Sequence, residues 1–202
     1  MNPVTILPSK IQREIIIGNI LGDGSLEFNG SVGTRLQIKQ SVQYKDYVFW
    51  LYEKLKNLCN SRPKQRRDNN QWYFSTRALK ELTSLHELFY KKRRKIIPTN
   101  IPELLTSPLT LGVWYMDDGS LDFRPKDHYA FVFSTDSFLL KEVKILGEAI
   151  ERNFGVKASV YNSLCRGRRY PKLYIGAKGR DKFLSLVKPY ILNCFSHKLP
   201  QL

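Results

Sequence analysis

Two segments of the chain have the pattern of a helix that ends at an acidic turn. In KIQREIIIGNILGD, residues 10–23, apolar residues recur at helical spacing. In SPLTLGVWYMDD, residues 107–118, Ser107 is a suitable N-cap and Pro108 suits the first helical turn. The turns that follow are nearly identical, DGSLEF at 23–28 and DGSLDF at 118–123. We therefore expect each helix to end at its own Asp-Gly.

A strand-like pattern follows each acidic turn. In TRLQIKQ, residues 34–40, Leu36 and Ile38 point to one face of a predicted strand and the polar residues between them point to the other. The segment YAFVFS, residues 129–134, occupies the corresponding place in the second half. Amphipathic helices and basic hairpins are predicted next, at 45–58, 61–76 and 77–90 in the first half and at 136–154, 156–177 and 180–192 in the second.

The order of these elements indicates an internal duplication. Each half reads helix–strand–strand–helix–strand–strand–helix and closes on a Lys shortly before Pro, in KIIP at 95–98 and KLP at 198–200. The prolines between the halves forbid one continuous helix. We predict an α+β protein with two pseudo-symmetric αββαββα halves, whose boundaries are 1–98 and 107–202 with a linker at 99–106.

Charge favours a polyanionic partner. The 202 residues include 33 Lys and Arg against 18 Asp and Glu, a net charge of +15, and nucleic acid is the favoured partner over a ribosomal or membrane-surface role. The three cysteines lie far apart and the three histidines lack metal-ligand spacing, so a zinc site is not expected. No apolar run approaches 18 residues and the N-terminus lacks a signal-peptide pattern, which predicts an intracellular protein without a membrane partner.

The repeated acids suggest a metal site. If the halves pack about a pseudo-twofold axis, their first helices can lie side by side and bring Asp23 and Asp118 together. Small residues at Gly18 and Gly22, and Gly112 in the second helix, would let those helices approach closely. Two adjacent carboxylates repel each other unless a cation lies between them, and oxygen ligands alone suit a hard ion such as Mg²⁺. Such an ion supports phosphodiester hydrolysis.

The segments IIGNILGDGSL and LGVWYMDDGSL resemble the two signature helices of the LAGLIDADG homing endonucleases, of the single-chain kind. The resemblance covers nearly the whole chain, and WYMDDG is similar to intron-encoded mitochondrial members. It implies curved antiparallel sheets that form a saddle over duplex DNA. It also implies that Asp23 and Asp118 bind divalent metal and each direct hydrolysis of one strand, which leaves staggered 3′ ends.

Further site residues follow from the same resemblance. Gly22 and Asp117 precede the two acids and join the implied metal set. Mg²⁺ is the implied ion, with Mn²⁺ as a substitute and Ca²⁺ supporting binding without cleavage. Lys95 and Lys198 match lysines near the scissile phosphates, where they would orient water or stabilise the developing charge. Gln40 and Ser134, which lie at the ends of corresponding predicted strands, would position the attacking water.

Alternation on the predicted strands outlines a DNA-binding face. Arg, Lys and Gln side chains there are suited to reading base edges and to contacting phosphates. The residues assigned to this face are Arg35, Gln37, Lys39, Arg62, Lys64, Arg66 and Tyr73 in the first half, and Arg124, Arg166, Arg168, Tyr170, Lys172 and Tyr174 in the second.

We interpret the chain as a monomeric, site-specific DNA endonuclease. One alternative is an RNA maturase that assists splicing of its host intron, because the same basic sheets would bind RNA. Another is a non-catalytic DNA-binding regulator on the same scaffold. The family resemblance favours a mitochondrion or another organelle as the compartment and leaves the bacterial cytoplasm open.

Overall fold

A computed structural model describes residues 6–66, 68–124, 128–165 and 167–201. The chain divides into two compact units, Met1–Leu88 and Phe89–Leu202. The first unit contains α1 (Lys10–Leu21), β1 (Ser25–Phe28), β2 (Thr34–Ser41), α2 (Lys45–Leu55), β3 (Lys64–Arg66), β4 (Gln71–Ser75) and all but the last residue of α3 (Lys80–Phe89). Then follow β5 (Tyr90–Lys91), β6 (Arg94–Lys95), α4 (Ile101–Leu104), α5 (Pro108–Asp118), β7 (Gly119–Arg124), β8 (His128–Phe133), α6 (Leu140–Phe154), β9 (Ser159–Cys165), β10 (Arg168–Ile175) and α7 (Arg180–Val187).

Each unit is built on a four-stranded antiparallel sheet with the same strand order. The first sheet has the order β1-β2-β4-β3 and the second has the order β7-β8-β10-β9. On β2 the alternation is as predicted, because Leu36 and Ile38 are buried while Arg35 and Lys39 are exposed. The predicted α+β class and its two αββαββα repeats are confirmed.

Helices cover the apolar face of each sheet. In the first unit α2 contacts β2 and β4, and in the second α6 contacts β9 and β10 while α7 contacts α5 and β8. The buried residues of α6 recur at spacings of three and four, which is the stripe that a helix needs to cover a sheet. The aromatic rings of Tyr115, Phe131, Phe133 and Phe183 pack edge to face or tilted in the second core.

Both signature helices begin at a serine cap. Ser9 accepts from the backbone N of Gln12, whose side chain accepts from the backbone N of Ser9, which completes a capping box. Ser107 accepts from the backbone N of Leu109 at 3.2 Å, as its sequence position predicts. These caps fix where each helix starts.

The segment 99–106 is packed rather than extended. It contains α4, and Ile101 and Leu105 are fully buried. Asn153 of α6 donates through Nδ2 to the carbonyl oxygens of Pro102 and Leu105, at 2.6 and 2.7 Å. The division between the compact units falls at 88/89, and the domain limits of 98 and 107 stay predictions. In the described ranges, no helix has both the length and the apolar composition to cross a membrane.

Candidate active site and nucleic-acid interface

The glycine of each Asp-Gly turn allows the chain to fold back tightly on its signature helix. A Cβ at Gly24 would lie 2.8 Å from the carbonyl oxygen of Asn19, and a Cβ at Gly119 would lie 2.0 Å from the ring of Tyr115. The backbone N of Gly24 also donates to Asn19 O at 2.8 Å. The repeated Asp-Gly is therefore a structural requirement that places one acid at the end of each helix.

The two acids differ in how their helices present them. Helix α1 ends at Leu21, with Gly22 donating to Gly18 O at 3.1 Å, so Asp23 lies in the following turn and is exposed. Helix α5 continues to Asp118, which is half-buried. The expectation that each helix ends at its Asp-Gly is confirmed for the second helix, and the first stops two residues earlier.

Asp23 has a partner at the end of β2. The side-chain amide of Gln40 donates through Nε2 to Asp23 Oδ2 at 2.8 Å. The Gln40 side chain therefore points its amide nitrogen at Asp23, and the amide oxygen of Gln40 faces away from that carboxylate. This contact brings two of the predicted site residues together within the first unit.

The end of β8 lies against the second acid. The backbone N of Ser134 donates to Asp118 O at 2.9 Å. Its hydroxyl accepts from Lys172 Nζ at 3.2 Å, and the same ammonium forms an ion pair with Asp136 Oδ1 at 2.7 Å. The Lys172 side chain is 16% exposed and belongs to a Lys172–Ser134–Asp136 cluster beside Asp118. Its contact with DNA stays a prediction.

Strand register corrects the predicted equivalence of Gln40 and Ser134. Ser25 pairs with Gln37 in the first sheet, and Ser120 pairs with Val132 in the second. Counting onward from these pairs, Ser134 corresponds to Lys39, and Gln40 corresponds to a buried threonine, Thr135, which donates to Pro171 O at 2.7 Å. The sequence comparison was one residue out of register because no motif marks the strand end.

The same register reveals an exchange of lysines between the two sheets. Lys39 on β2 pairs with Tyr73 on β4. In the second sheet Ser134 takes the place of Lys39, and Lys172 takes the place of Tyr73. Each sheet thus has one lysine in this cross-strand pair. It lies on the second strand of the first sheet (β2) and on the last strand of the second sheet (β10). One sequence feature indicates the Lys172–Ser134–Asp136 cluster. The segment STDS at 134–137 contains an acid, Asp136, whereas its counterpart KQSV at 39–42 contains none.

Lys198 is buried at the C-terminal end of α5. Its Nζ donates to the carbonyl oxygens of Met116 at 2.6 Å, Tyr115 at 3.4 Å and Asp117 at 3.5 Å. The phenol of Tyr115 donates back to Lys198 O at 2.8 Å, and burial raises the pKa of that phenol well above its ordinary value. An ammonium in this place satisfies helix-end carbonyls and opposes the negative end of the helix dipole.

Lys95 lies on a short hairpin, which we call the basic hairpin (residues 90–95). It pairs with Tyr90 and is half-buried. Although Lys95 closes the first sequence repeat, the hairpin belongs to the second compact unit.

The polar face of the first sheet carries most of its predicted DNA-binding residues. Lys39, Tyr73 and Lys64 form one cross-strand row, and directly opposed residues share a face. Arg35 forms an ion pair with Glu27 at 2.8 Å. The guanidinium of Arg66 pairs with Asp68 and lowers the pKa of that carboxyl. Gln37 lies on this face, whereas Arg62 is exposed and precedes β3.

The predicted DNA-binding residues of the second sheet differ in their surroundings. Arg124 is exposed and pairs with Asp122 at 3.0 Å. Tyr174 and Tyr161 meet edge to face, with ring centroids 6.1 Å apart. Arg168 is exposed and Tyr170 half-buried on β10. Arg166 lies outside the described residues.

The predicted helix-interface glycines have different environments. Gly18 and Gly22 are buried in and just after α1. A Cβ at Gly112 would lie 2.9 Å from Cβ of Tyr190 in the same unit. The small size of Gly112 is therefore explained by that contact, and the interface role of the three glycines stays a prediction.

The donor sets suit a hard cation. Within the described ranges, no three His, Cys, Asp or Glu side chains cluster as a complete metal site. Each helix end instead offers carboxylate and carbonyl oxygens, from Gly22 and Asp23 in one unit and from Asp117 and Asp118 in the other. Oxygen donors that leave other coordination positions for water and phosphate are those that Mg²⁺ prefers.

Comparison with known proteins identifies the family. The chain is 29% identical to the cytochrome b mRNA maturase bI2 of Debaryomyces hansenii, over 94% of this chain and 74% of that protein. It is 27% identical to the DNA endonuclease I-ChuI of Chlamydomonas applanata, over 93% and 94%. The solved structure of the homing endonuclease I-WcaI bound to its DNA recognition sequence superposes with a TM-score of 0.82 and 27% identity, over 96% of this chain and 88% of that one. Residues 13–183 match the sequence model of the LAGLIDADG DNA endonuclease family, and the chain therefore belongs to that family.

Proposed function

We propose that the protein is a homing endonuclease that makes a divalent-metal-dependent double-strand break in a long DNA target, acting as a monomer. The observation that carries the proposal is the repeated helix end, in which a glycine contact fixes an acid beside polar groups from the adjoining sheet. Family membership supplies the reaction class. The likeness to I-WcaI, which is bound to its DNA recognition sequence in the solved structure, supports duplex DNA as the partner.

Asp23 and Asp118 are the proposed metal ligands, one for each DNA strand, with Gly22 and Asp117 contributing nearby oxygens. A bound Mg²⁺ would activate the attacking water and stabilise the departing oxygen. Gln40 orients the Asp23 carboxylate through its 2.8 Å hydrogen bond. Mn²⁺ is expected to substitute for Mg²⁺, and Ca²⁺ to support binding without cleavage.

Lysines complete each proposed half-site. Lys198 holds the last carbonyls of α5 and so fixes the backbone that presents Asp118. Lys95 is proposed to lie near a scissile phosphate, where its charge would stabilise the transition state. Ser134 holds Asp118 O through its backbone and receives the ammonium of Lys172, which we propose as a further cation for the second strand.

The decisive experiment is cleavage of a randomised duplex library with Mg²⁺, followed by sequencing of the ends. We expect one recurrent long site with staggered 3′ ends. Asp23→Asn and Asp118→Asn should each reduce double-strand cleavage by at least about 10³-fold, because each removes a charged ligand from a metal site. Binding to the recovered site should remain. Normal cutting of both strands by Asp23→Asn would disprove the metal assignment.

A second candidate function is assistance to intron splicing. It is favoured by similarity to a cytochrome b mRNA maturase across 94% of this chain, and that similarity also supports a mitochondrial location. Rescue of splicing of a host intron by the Asp23→Asn/Asp118→Asn double variant would show that this activity is independent of cleavage.

A further inference from the structure

The basic hairpin has an unusual turn. It contains five consecutive cationic residues, KKRRK at 91–95. Tyr90 pairs with Lys95 and Lys91 with Arg94, so Lys92 and Arg93 form the two-residue turn. Both have positive φ, 48° and 65°. A two-residue turn of this kind normally contains Asn-Gly, because long side chains are disfavoured at positive φ. The chain thus has two long cations where the backbone disfavours them.

The base of the hairpin is fixed to α6. Arg94 donates through its two terminal nitrogens to Glu142, at 3.3 and 3.0 Å. The nearly buried Glu142 carboxylate also accepts from the backbone N of Leu139 at 2.6 Å. Ile96 N donates to Phe89 O at 2.7 Å and extends the ladder. A fork-shaped, charge-assisted contact of this kind fixes orientation as well as position.

The remaining cations of the hairpin are presented to solvent. Arg94 is occupied by Glu142, and Lys95 lies on the other face of the hairpin, opposite Tyr90. Lys91, Lys92 and Arg93 are exposed, and no ion pair between residues that the structure describes involves them. Disfavoured backbone angles that persist in a well-anchored element are typical of functional sites. Unneutralised cations on a fixed backbone suit a phosphate chain.

We propose that the basic hairpin clamps the phosphate backbone of duplex DNA. Lys92 and Arg93 would contact the phosphates next to the scissile phosphate near which Lys95 is proposed to lie. The inference rests on the proposed function, which supplies the duplex and the placement of Lys95. Two strand residues span about 7 Å, which equals the rise of roughly two nucleotides at about 3.4 Å of helix axis each, so the turn can reach phosphates next to the one near Lys95. The clamp would hold the duplex in register without reading its sequence.

The test is the variant Lys92→Asn/Arg93→Gly, which installs the residues that the turn prefers. Its melting temperature should equal or exceed that of the wild type. Duplex binding in EDTA should weaken by roughly 10-fold near physiological salt, and the slope of log affinity against log salt should become shallower by about 2. The weakening should be equal for the target site and a scrambled duplex, because phosphates carry no sequence information.

A matched variant, Lys144→Asn/Arg152→Asn, removes the same charge from exposed positions on α6 and should leave the slope unchanged. A wild-type slope in the hairpin variant, or an equal change in the control, would overturn the clamp while leaving the endonuclease proposal intact. A loss confined to binding of intron RNA would overturn duplex DNA as the ligand. Absence of duplex binding by the wild type would overturn the proposed function and the clamp together.

Discussion

The thiol of Cys59 is buried and donates to Leu55 O at 3.3 Å. Burial raises the pKa of this thiol from its usual value of 9.0 to about 11. The folded state therefore retains the thiol proton more tightly than the unfolded state, and the stabilising contribution is complete below pH 9 and lost as the pH rises toward 11.

We expect Cys59→Ala to remove this part of the alkaline destabilisation. The measurement is the melting temperature of both proteins between pH 7.5 and 11. The difference between wild type and variant should narrow above pH 9, because only the wild type has the thiol to ionise on unfolding. A constant difference across that range would contradict the assignment.

Single residues also show where sequence reasoning reached its limit. Asp23, Asp118 and Ser107 were identifiable because a repeated turn and a Ser-Pro pair leave local signatures. Alternation places Lys172 on the polar face of its strand, but it does not reveal the ion pair with Asp136, which lies 36 residues away along the chain. The burial of Lys198 depends on α5, more than 80 residues distant. Such pairings are fixed by tertiary contacts that no local pattern encodes.

At the scale of elements, α5 packs tightly against the 3₁₀ turn that contains Tyr190. A Cβ on Gly112 would lie 2.9 Å from Tyr190 Cβ, which is anchored to the backbone and cannot rotate away. In α6, by contrast, a Cβ on Gly147 would meet the flexible end of the Leu173 side chain at 3.3 Å and the Cβ of Ala158 at an ordinary 4.0 Å. Two helical glycines of one unit thus differ in whether they tolerate a methyl group.

Gly112→Ala should lower the free energy of unfolding by about 1–3 kcal/mol, the usual cost of overpacking. Gly147→Ala is the matched control and should be neutral or stabilising by up to about 1 kcal/mol, because alanine favours the helix. Denaturant unfolding of both variants measures the difference. Equal stabilities would show that the contact with Tyr190 relaxes without cost.

The elements themselves were largely predictable. Helical spacing in 10–21 and strict alternation in 34–40 each indicated one structure, and both are observed. The segment 99–106 was not predictable as a packed element, because its burial comes from Asn153 and α6 rather than from its own composition. The one-residue register error at Ser134 has a similar origin, since register is set by pairing partners.

At the scale of the whole molecule, the lysine exchange predicts strand-specific defects. In the cross-strand pair described above, the lysine is Lys39 in the first sheet and Lys172 in the second. We expect Lys39→Met to slow cleavage of one DNA strand and Lys172→Met to slow cleavage of the other, each by roughly 10- to 100-fold. Each variant should accumulate nicked product in a different strand when plasmid cleavage is followed with strand-specific labels.

The double variant Lys39→Met/Lys172→Met should combine both defects, and Lys172→Arg should retain part of the activity by keeping the charge beside Asp136. Equal slowing of both strands by either single variant would contradict the division of labour between the sheets.

The placement of the basic hairpin in the second compact unit bears on the history of the duplication and on attempts to divide the protein. In the repeat predicted from the sequence, Lys95 belongs to the first half, which ends at residue 98, but its hairpin is held by Glu142 of the second compact unit. The predicted end of the first half, at residue 98, thus differs from the division between the compact units at 88/89. A fragment cut at residue 98 would separate the hairpin of Lys95 from Glu142, which anchors it. Split or recombined versions of this protein should therefore keep residues 89–202 together.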